Sequence, residues 1–267
     1  MTDRLLRMYV AFIAILMIAP IAIVVGTSLN TAAYLSFPPA GFSVKWYGQV
    51  LADSTWRDSL WLSLQIGAAV SVLSTALGVV AALGLRSANN AISSALQTFF
   101  LSPLMLPTVL IGLALMQFYQ SLGIKASIMT VTLGQLLIAC PYVIRLVLAS
   151  FVGIDTRLER AASILGADSF RVFRYVTFPL IRHAVLAGML FSFIVSLDDV
   201  NIALFLSDTH TTPLPVQLFS YIEQNADSLG AAAASLLIML ACIAVLICDR
   251  LVGIEWLFGA KQHSINE

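Results

Sequence analysis

Long apolar runs recur along this chain, and they narrow the possible folds more than any other feature. Six of them, nearly free of charge, follow one another: Met8–Ser28, Leu60–Leu85, about Leu96–Tyr119, about Ser127–Ser150, about Ala184–Leu206 and about Leu229–Ile247. At ~1.5 Å per residue a helical run of ~20 residues spans ~30 Å, the hydrocarbon thickness of a bilayer. Composition agrees: 60% of the 267 residues are hydrophobic and 10% are charged, where a soluble domain carries ~25% charged residues. Mean hydropathy is +0.94. The expected fold class is therefore an all-α integral membrane protein with six transmembrane helices.

Each run carries its own detail. The first follows Arg4 and Arg7 and exceeds the ~7–15 residues of a signal-peptide core, so it reads as a retained span. Pro20 is expected to kink it. In the second, Gly67, Ser71 and Thr75 are four apart, as are Gly78 and Ala82, a spacing that lets membrane helices pack closely. The third contains Pro103 and Pro107, so its first half should be bent or broken. The fourth contains Pro141. The sixth opens with Ala231–Ala234, a second small packing surface. Between the first two runs, Asn30–Asp58 reads as an ordered external loop with a short interfacial helix near Lys45-Trp46-Tyr47.

Orientation follows from the basic residues. With the N-terminus inside, cytoplasmic segments hold Arg4, Arg7, Arg86, Arg145, Arg157, Arg160, Arg171, Arg174, Arg182, Arg250 and Lys261. External segments hold Lys45, Arg57 and Lys125, so the vote is eleven to three for cytoplasmic termini. The expected division is 1–59 as the first helix and external loop, 60–253 as a five-helix core with a cytoplasmic loop 151–182, and 254–267 as a cytoplasmic tail.

That cytoplasmic loop holds the one long amphipathic, charge-rich stretch, Leu158–Pro179. Thr156 and Glu159 form an S/T-x-x-E capping box, so a helix should begin there. Leu158, Ala161, Ala162 and Leu165 share one face. Gly166 stands where a C-terminal cap needs a left-handed residue. The helix is too short to be stable alone, and its face, centred on two alanines, admits close approach by a partner. It reads as the handle by which another protein moves this one. A second helical turn should start at Asp168 or Ser169 and run toward Pro179, which would stop or restart it.

Asp198-Asp199 lies inside the otherwise apolar fifth run. A carboxylate there costs ~2.5–3.5 kcal/mol on insertion scales and is functional by default. Adjacent acids on a helix point ~100° apart, so they cannot share one partner symmetrically. Water, a neighbouring subunit or a cationic substrate could each meet them. In the purely structural alternative, one Asp is hydrogen-bonded to helix ends, Ser196 or Asn201, and the other faces a wet cavity.

Other chemistry is excluded or undirected. Formal net charge is zero, so no nucleic-acid or acidic partner is implied. The chain has no G-x-x-x-x-G-K phosphate loop. His183, His210 and His263 are scattered and form no catalytic or metal constellation. Cys140, Cys242 and Cys248 lack metal-ligand spacing and read as small buried hydrophobes.

The loop resembles the EAA loop of bacterial ABC-importer permeases, E-A-A-x3-G-x9-I-x-L-P. Here it reads Arg160-Ala161-Ala162, Gly166 and Val176-Thr177-Phe178-Pro179; all spacings match. Arg160 stands at the family's Glu, with Glu159 adjacent, while Val176 and Phe178 keep apolar character. SFIVSLDDV, TTPLPVQLFSYI and FPPAGFSVKWY resemble the second permease subunit of polyamine (spermidine/putrescine) importers.

The resemblance implies a type I ABC importer (MetI-like) permease fold and no catalytic site. It implies coupling to ATPase subunits through Glu159, Arg160, Ala161, Ala162, Leu165, Gly166 and Pro179, and a substrate pathway that includes Asp198, Asp199 and Asn201. No cofactor is expected on this chain; ATP and Mg²⁺ belong to the ATPases. The implied partners are a second permease subunit, two ATPase subunits, a periplasmic solute-binding protein and membrane lipid, with no nucleic acid. The implied solute is a polyamine or related cationic compound. Alternatives are an importer of another small solute (an opine, an amino-acid-like compound, a phosphonate or another anion), a proton-coupled secondary transporter and, last, a membrane-embedded enzyme.

Overall fold

The computed structural model describes residues 2–209 and 211–252. His210, Lys261, His263 and the expected tail 254–267 lie outside the described residues, as does the side chain of Cys248. Among the described residues the chain is helical, with two isolated β-bridges, Asn30–Phe42 and Tyr34–Asp227. It divides into two compact units. One holds the residues up to Trp61 and Pro213–Leu240; the other holds Leu62–Thr212 and the residues from Ala241 on.

The first unit contains α1 (Thr2–Ser28), α2 (Lys45–Ala52), the first turns of α3 (Ser54–Ser87), α11 (Leu214–Gln224) and most of α12 (Ser228–Val252). The segment between α1 and α3 carries a short helix, α2, as expected, and Asn30 organises it. Asn30 Oδ1 accepts from Ala32 and Ala40 N–H, both at 3.1 Å, and its Nδ2 donates to Ser36 Oγ at 2.7 Å. Trp46, Val50 and Trp56 form a core with Leu214, Ala232 and Ala233. Within the Ala231–Ala234 surface, the two central alanines are fully buried. Tyr221 donates to Asp227 at 2.6 Å. Burial, that hydrogen bond and the Asp227 charge push the phenol up to about 12.

The second unit is built around α6 (Ile128–Phe151) and α9 (Phe178–Asp198), which pack along each other. Lipid is as apolar as a leucine surface, so close approach rather than water exclusion holds membrane helices together. The small residues supply that approach. A Cβ on Gly78 would lie 2.7 Å from Val143 of α6, and one on Gly188 of α9 would lie 3.2 Å from it. Val143 therefore sits between two glycines. Ser71 Oγ donates to the Met189 carbonyl at 2.6 Å. Val79, Ala82, Val143, Val147, Phe151, Ile181 and Val185 complete this core.

Among the described residues, five helices are long and apolar enough to cross a membrane: residues 4–28, 54–87, 128–151, 169–198 and 228–247. The third apolar run is broken, as Pro103 and Pro107 predict. Helix α4 (Asn90–Leu101) passes through a 3₁₀ turn, Ser102–Met105, and meets α5 (Thr108–Ser121) at a 99° bend. Counted as one span, this pair makes six.

Three expectations need correction. The fifth run, Ala184–Leu206, is not one helix. Helical structure extends from Ser169 to Asp198, breaks at Asp199–Val200, and resumes as α10 (Asn201–Leu206). Asp199 has extended backbone there, with ψ 106°. The acids therefore sit at a helix break rather than on a continuous helix. The capping box at Thr156 does not form, because Glu159 is drawn elsewhere. Cys242 is exposed in the isolated subunit rather than buried.

Candidate functional site

The charge-rich stretch folds as α7 (Arg157–Ile164), a turn, and α8 (Ser169–Val172). Helix α7 starts where expected. It ends through Gly166, at φ +88°, with Gly166 N–H donating to the Ser163 carbonyl at 3.0 Å and Ala167 N–H to that of Ala162 at 3.1 Å. These two bonds are the Schellman pair that satisfies the last carbonyls. Asp168 then caps α8 by accepting from Arg171 N–H at 2.8 Å.

Helix α8 runs into a π-helical turn, Phe173–Thr177, and then into α9. Pro179 stands at the start of α9, as a helix restart requires, and the wide turn before it absorbs the missing N–H.

No α7 side chain is buried. Ile164 and Leu165 are 85% and 88% exposed, and Arg160 and Ala161 are exposed beside a half-buried Ala162. Glu159 differs. Its Oε1 accepts from Arg86 Nη1 at 2.8 Å and from Thr177 Oγ1 at 2.6 Å. Burial pushes this carboxyl up, but the Thr177 hydrogen bond, the Arg86 hydrogen bond and the Arg86 charge outweigh it, so the group lies below the usual carboxylate range. Glu159, expected among the residues that couple to the ATPases, spends this oxygen on Arg86 and Thr177 of its own chain.

The break after α9 separates the two acids. Asp199 is buried, and its carboxyl accepts from Ile202 N–H at 3.3 Å, Ala203 N–H at 3.2 Å and Gln135 Nε2 at 3.2 Å. It caps α10, a role Ser, Thr, Asp and Asn fill at helix starts. Ser196 Oγ donates to Gln135 Oε1. Asn201 turns to Thr108 Oγ1 at 2.7 Å and so ties α10 to α5. Asp198 is exposed, and its carboxylate takes part in none of the hydrogen bonds or ion pairs among the described residues.

The sequence reading missed Gln135, Thr108, Arg86 and Thr177. Gln135 is the only Gln, Asn or charged residue between Ile128 and Tyr142, a signal that could have marked it. No three His, Cys, Asp or Glu among the described residues could hold a metal.

With this geometry in view, the comparisons with known proteins are specific. Residues 74–253 match the family described as "binding-protein-dependent transport system inner membrane component". The chain is 30% identical to the putrescine transport system permease protein of Escherichia coli K12 over 227 residues, 82% of this chain and 80% of that protein. It is 29% identical to the spermidine/putrescine transport system permease protein of Haemophilus influenzae over 234 residues, 87% and 90% of the two chains. It is 27% identical to a putative 2-aminoethylphosphonate permease of Salmonella typhimurium over 244 residues, 91% and 90%. Among solved structures, a bacterial importer of the acidic polysaccharide alginate superposes with TM-score 0.69 at 19% identity, covering 94% of this chain and 96% of that one.

Proposed function

The chain belongs to the inner membrane components of binding-protein-dependent transport systems, and from that premise we propose that it forms half of an import pathway for a cationic organic solute of the polyamine class. It is a multi-pass permease subunit of an ABC importer in the bacterial inner membrane, not an enzyme. In the proposed assembly a second permease subunit completes the pathway, two ATPase subunits bind ATP and Mg²⁺, and a periplasmic protein delivers the solute. The bent α4–α5 pair counts as one of six spans and both termini are cytoplasmic, a topology supported by the distribution of Lys and Arg. Residues 1–59 form the first helix and external loop, and 60–253 the core whose loop 151–182 meets the ATPases.

The observation that carries the substrate class is the division of labour at the helix break. Asp199 is consumed as a cap, whereas Asp198 is left exposed and unpaired. An unpaired carboxylate in an apolar run needs a cation or water beside it. A diamine supplies the cation. Asn201, also expected on the pathway, is tied to Thr108 and so positions the break. The two polyamine permeases among the relatives support this reading. The phosphonate relative favours a second one, because 2-aminoethylphosphonate also carries an ammonium group.

Alternating access follows by rigid-body motion. The ATPases push on the exposed face of α7, formed by Arg160, Ala161, Ile164 and Leu165, and the core helices move with it. The test is ATP hydrolysis by the reconstituted complex, stimulated by binding protein loaded with putrescine, spermidine or 2-aminoethylphosphonate. Stimulation by the polyamines alone supports the first reading, and stimulation by the phosphonate alone supports the second. Ala161→Arg should leave ATP hydrolysis running while uptake stops; normal uptake would remove α7 from the coupling role.

A further inference from the structure

We propose that Arg86 is the fixed point of a clasp that makes the coupling helix, the end of α3 and the start of α9 move as one body. It is a positioning residue, and the inference rests on the coupling role given to α7 above. Arg86 lies in the last turn of α3. One oxygen, Glu159 Oε1, accepts from both Arg86 Nη1 and Thr177 Oγ1. The Arg86 guanidinium also lies over the Phe151 ring, 4.4 Å from its centroid. Phe151 ends α6, Glu159 is in α7, and Thr177 closes the π-helical turn, so the clasp gathers the ends of four elements around one cation.

Two observations separate this contact from an ordinary surface ion pair. Arg86 and Glu159 are only 19% and 23% exposed, whereas the Arg171–Asp168 pair is 67% and 65% exposed and 3.6 Å long. Exposed pairs of that second kind do little, but a shielded, charge-assisted bond is stronger. The clasp also has little competition. With no buried side chain of its own, α7 cannot be held by a core. A push on its exposed face therefore reaches the spans through Glu159 and through the packing of α7 on α8 and the π-helical turn. From Thr177, the 21 residues of α9 lead to Asp198, a rigid rod of ~30 Å. The clasp thus links the partner-facing helix to the acid at the break.

The test uses the full complex in proteoliposomes with ATP and binding protein. It reads solute accumulated per ATP hydrolysed, with putrescine or 2-aminoethylphosphonate as the probe, whichever the wild type accumulates. Arg86→Gln and Glu159→Gln should each lower that yield roughly three- to tenfold. The double variant should be no worse than either single, because both remove one interaction. Arg86→Lys should recover part of the yield, since it keeps the charge and loses the flat stacking surface.

Wild-type yield in the singles, or fully additive losses in the double, would overturn the clasp. If Arg86→Gln does not assemble, Thr177→Val carries the test, because it removes one hydroxyl: a lowered yield supports the clasp and an unchanged yield overturns it. Ala161→Arg runs alongside. Uncoupling by Ala161→Arg but not by the clasp variants discards the clasp alone; coupling preserved in all of them discards the role of α7 itself.

Discussion

Replacing Asp199 should destabilise the protein, whereas replacing Asp198 should not, although the two acids are adjacent. Asp199→Ala removes the acceptor for Ile202 and Ala203 N–H and for Gln135 Nε2. Losing a helix cap costs ~0.5–2 kcal/mol, and leaving a buried donor unsatisfied costs ~1–3 kcal/mol. The contacts are long, 3.2–3.3 Å, and Gln135 Nε2 retains the Ser196 carbonyl at 3.3 Å. The lower parts of those ranges therefore apply, and the sum is ~2–3 kcal/mol. For a chain of this size that lowers Tm by roughly 4–12 °C. Asp199→Asn, which keeps an accepting oxygen, should lie between. Asp198→Asn removes no contact and should shift Tm by less than ~2 °C. Thermal unfolding of the detergent-purified complex, followed by size-exclusion chromatography, reads all three. Equal losses at the two positions, or a wild-type Tm in Asp199→Ala, would refute the assignment of the cap.

Other outcomes follow from single sites. Gly78→Val should cost ~1–3 kcal/mol, because its Cβ would meet the stiff β-branched Val143 at 2.7 Å; the same thermal assay checks it. Gly166→Ala should cost ~1–2 kcal/mol from backbone alone, since φ is +88° and no atom lies near the added methyl; hydrogen exchange should show faster opening at the end of α7. The Glu159 carboxyl is depressed by its partners, so its contribution is complete above the ordinary value of ~4.3 and is lost as pH falls below it. Protection of α7 amides should therefore hold at pH 5 and drop toward pH 3 in the wild type, with no such step in Glu159→Gln. A step above pH 5 would contradict the clasp geometry.

Much of this architecture is legible in the residues because the bilayer imposes length and the close contacts impose size. The Pro103–Pro107 break, the Gly166 cap and the close packing at Gly78 each follow from local rules of backbone or volume; that Gly188 meets the same valine does not. What was not legible depends on distant partners. Thr156 and Glu159 satisfy a capping pattern, yet a cation 73 residues earlier and a hydroxyl 18 residues later draw Glu159 away. Hydropathy runs unbroken from Ala184 to Leu206 because the residues on either side of the acids are apolar. The interruption at Asp199 comes from Gln135 on α6 and from the N–H groups of α10, neither of which leaves a periodic trace. The π-helical turn before Pro179 was hidden for a related reason: a proline marks that a helix must adjust, but not how.

In the proposed cycle, ATP drives a cation past Asp198. The most direct measurement is uptake of labelled putrescine into proteoliposomes holding the complete complex, with and without ATP, for the wild type and Asp198→Asn. The wild type should show ATP-dependent uptake, and an Asp198→Asn complex that still assembles and hydrolyses ATP should lose roughly tenfold or more of it. Undiminished uptake by Asp198→Asn, or wild-type uptake driven by a pH gradient without ATP, would contradict it.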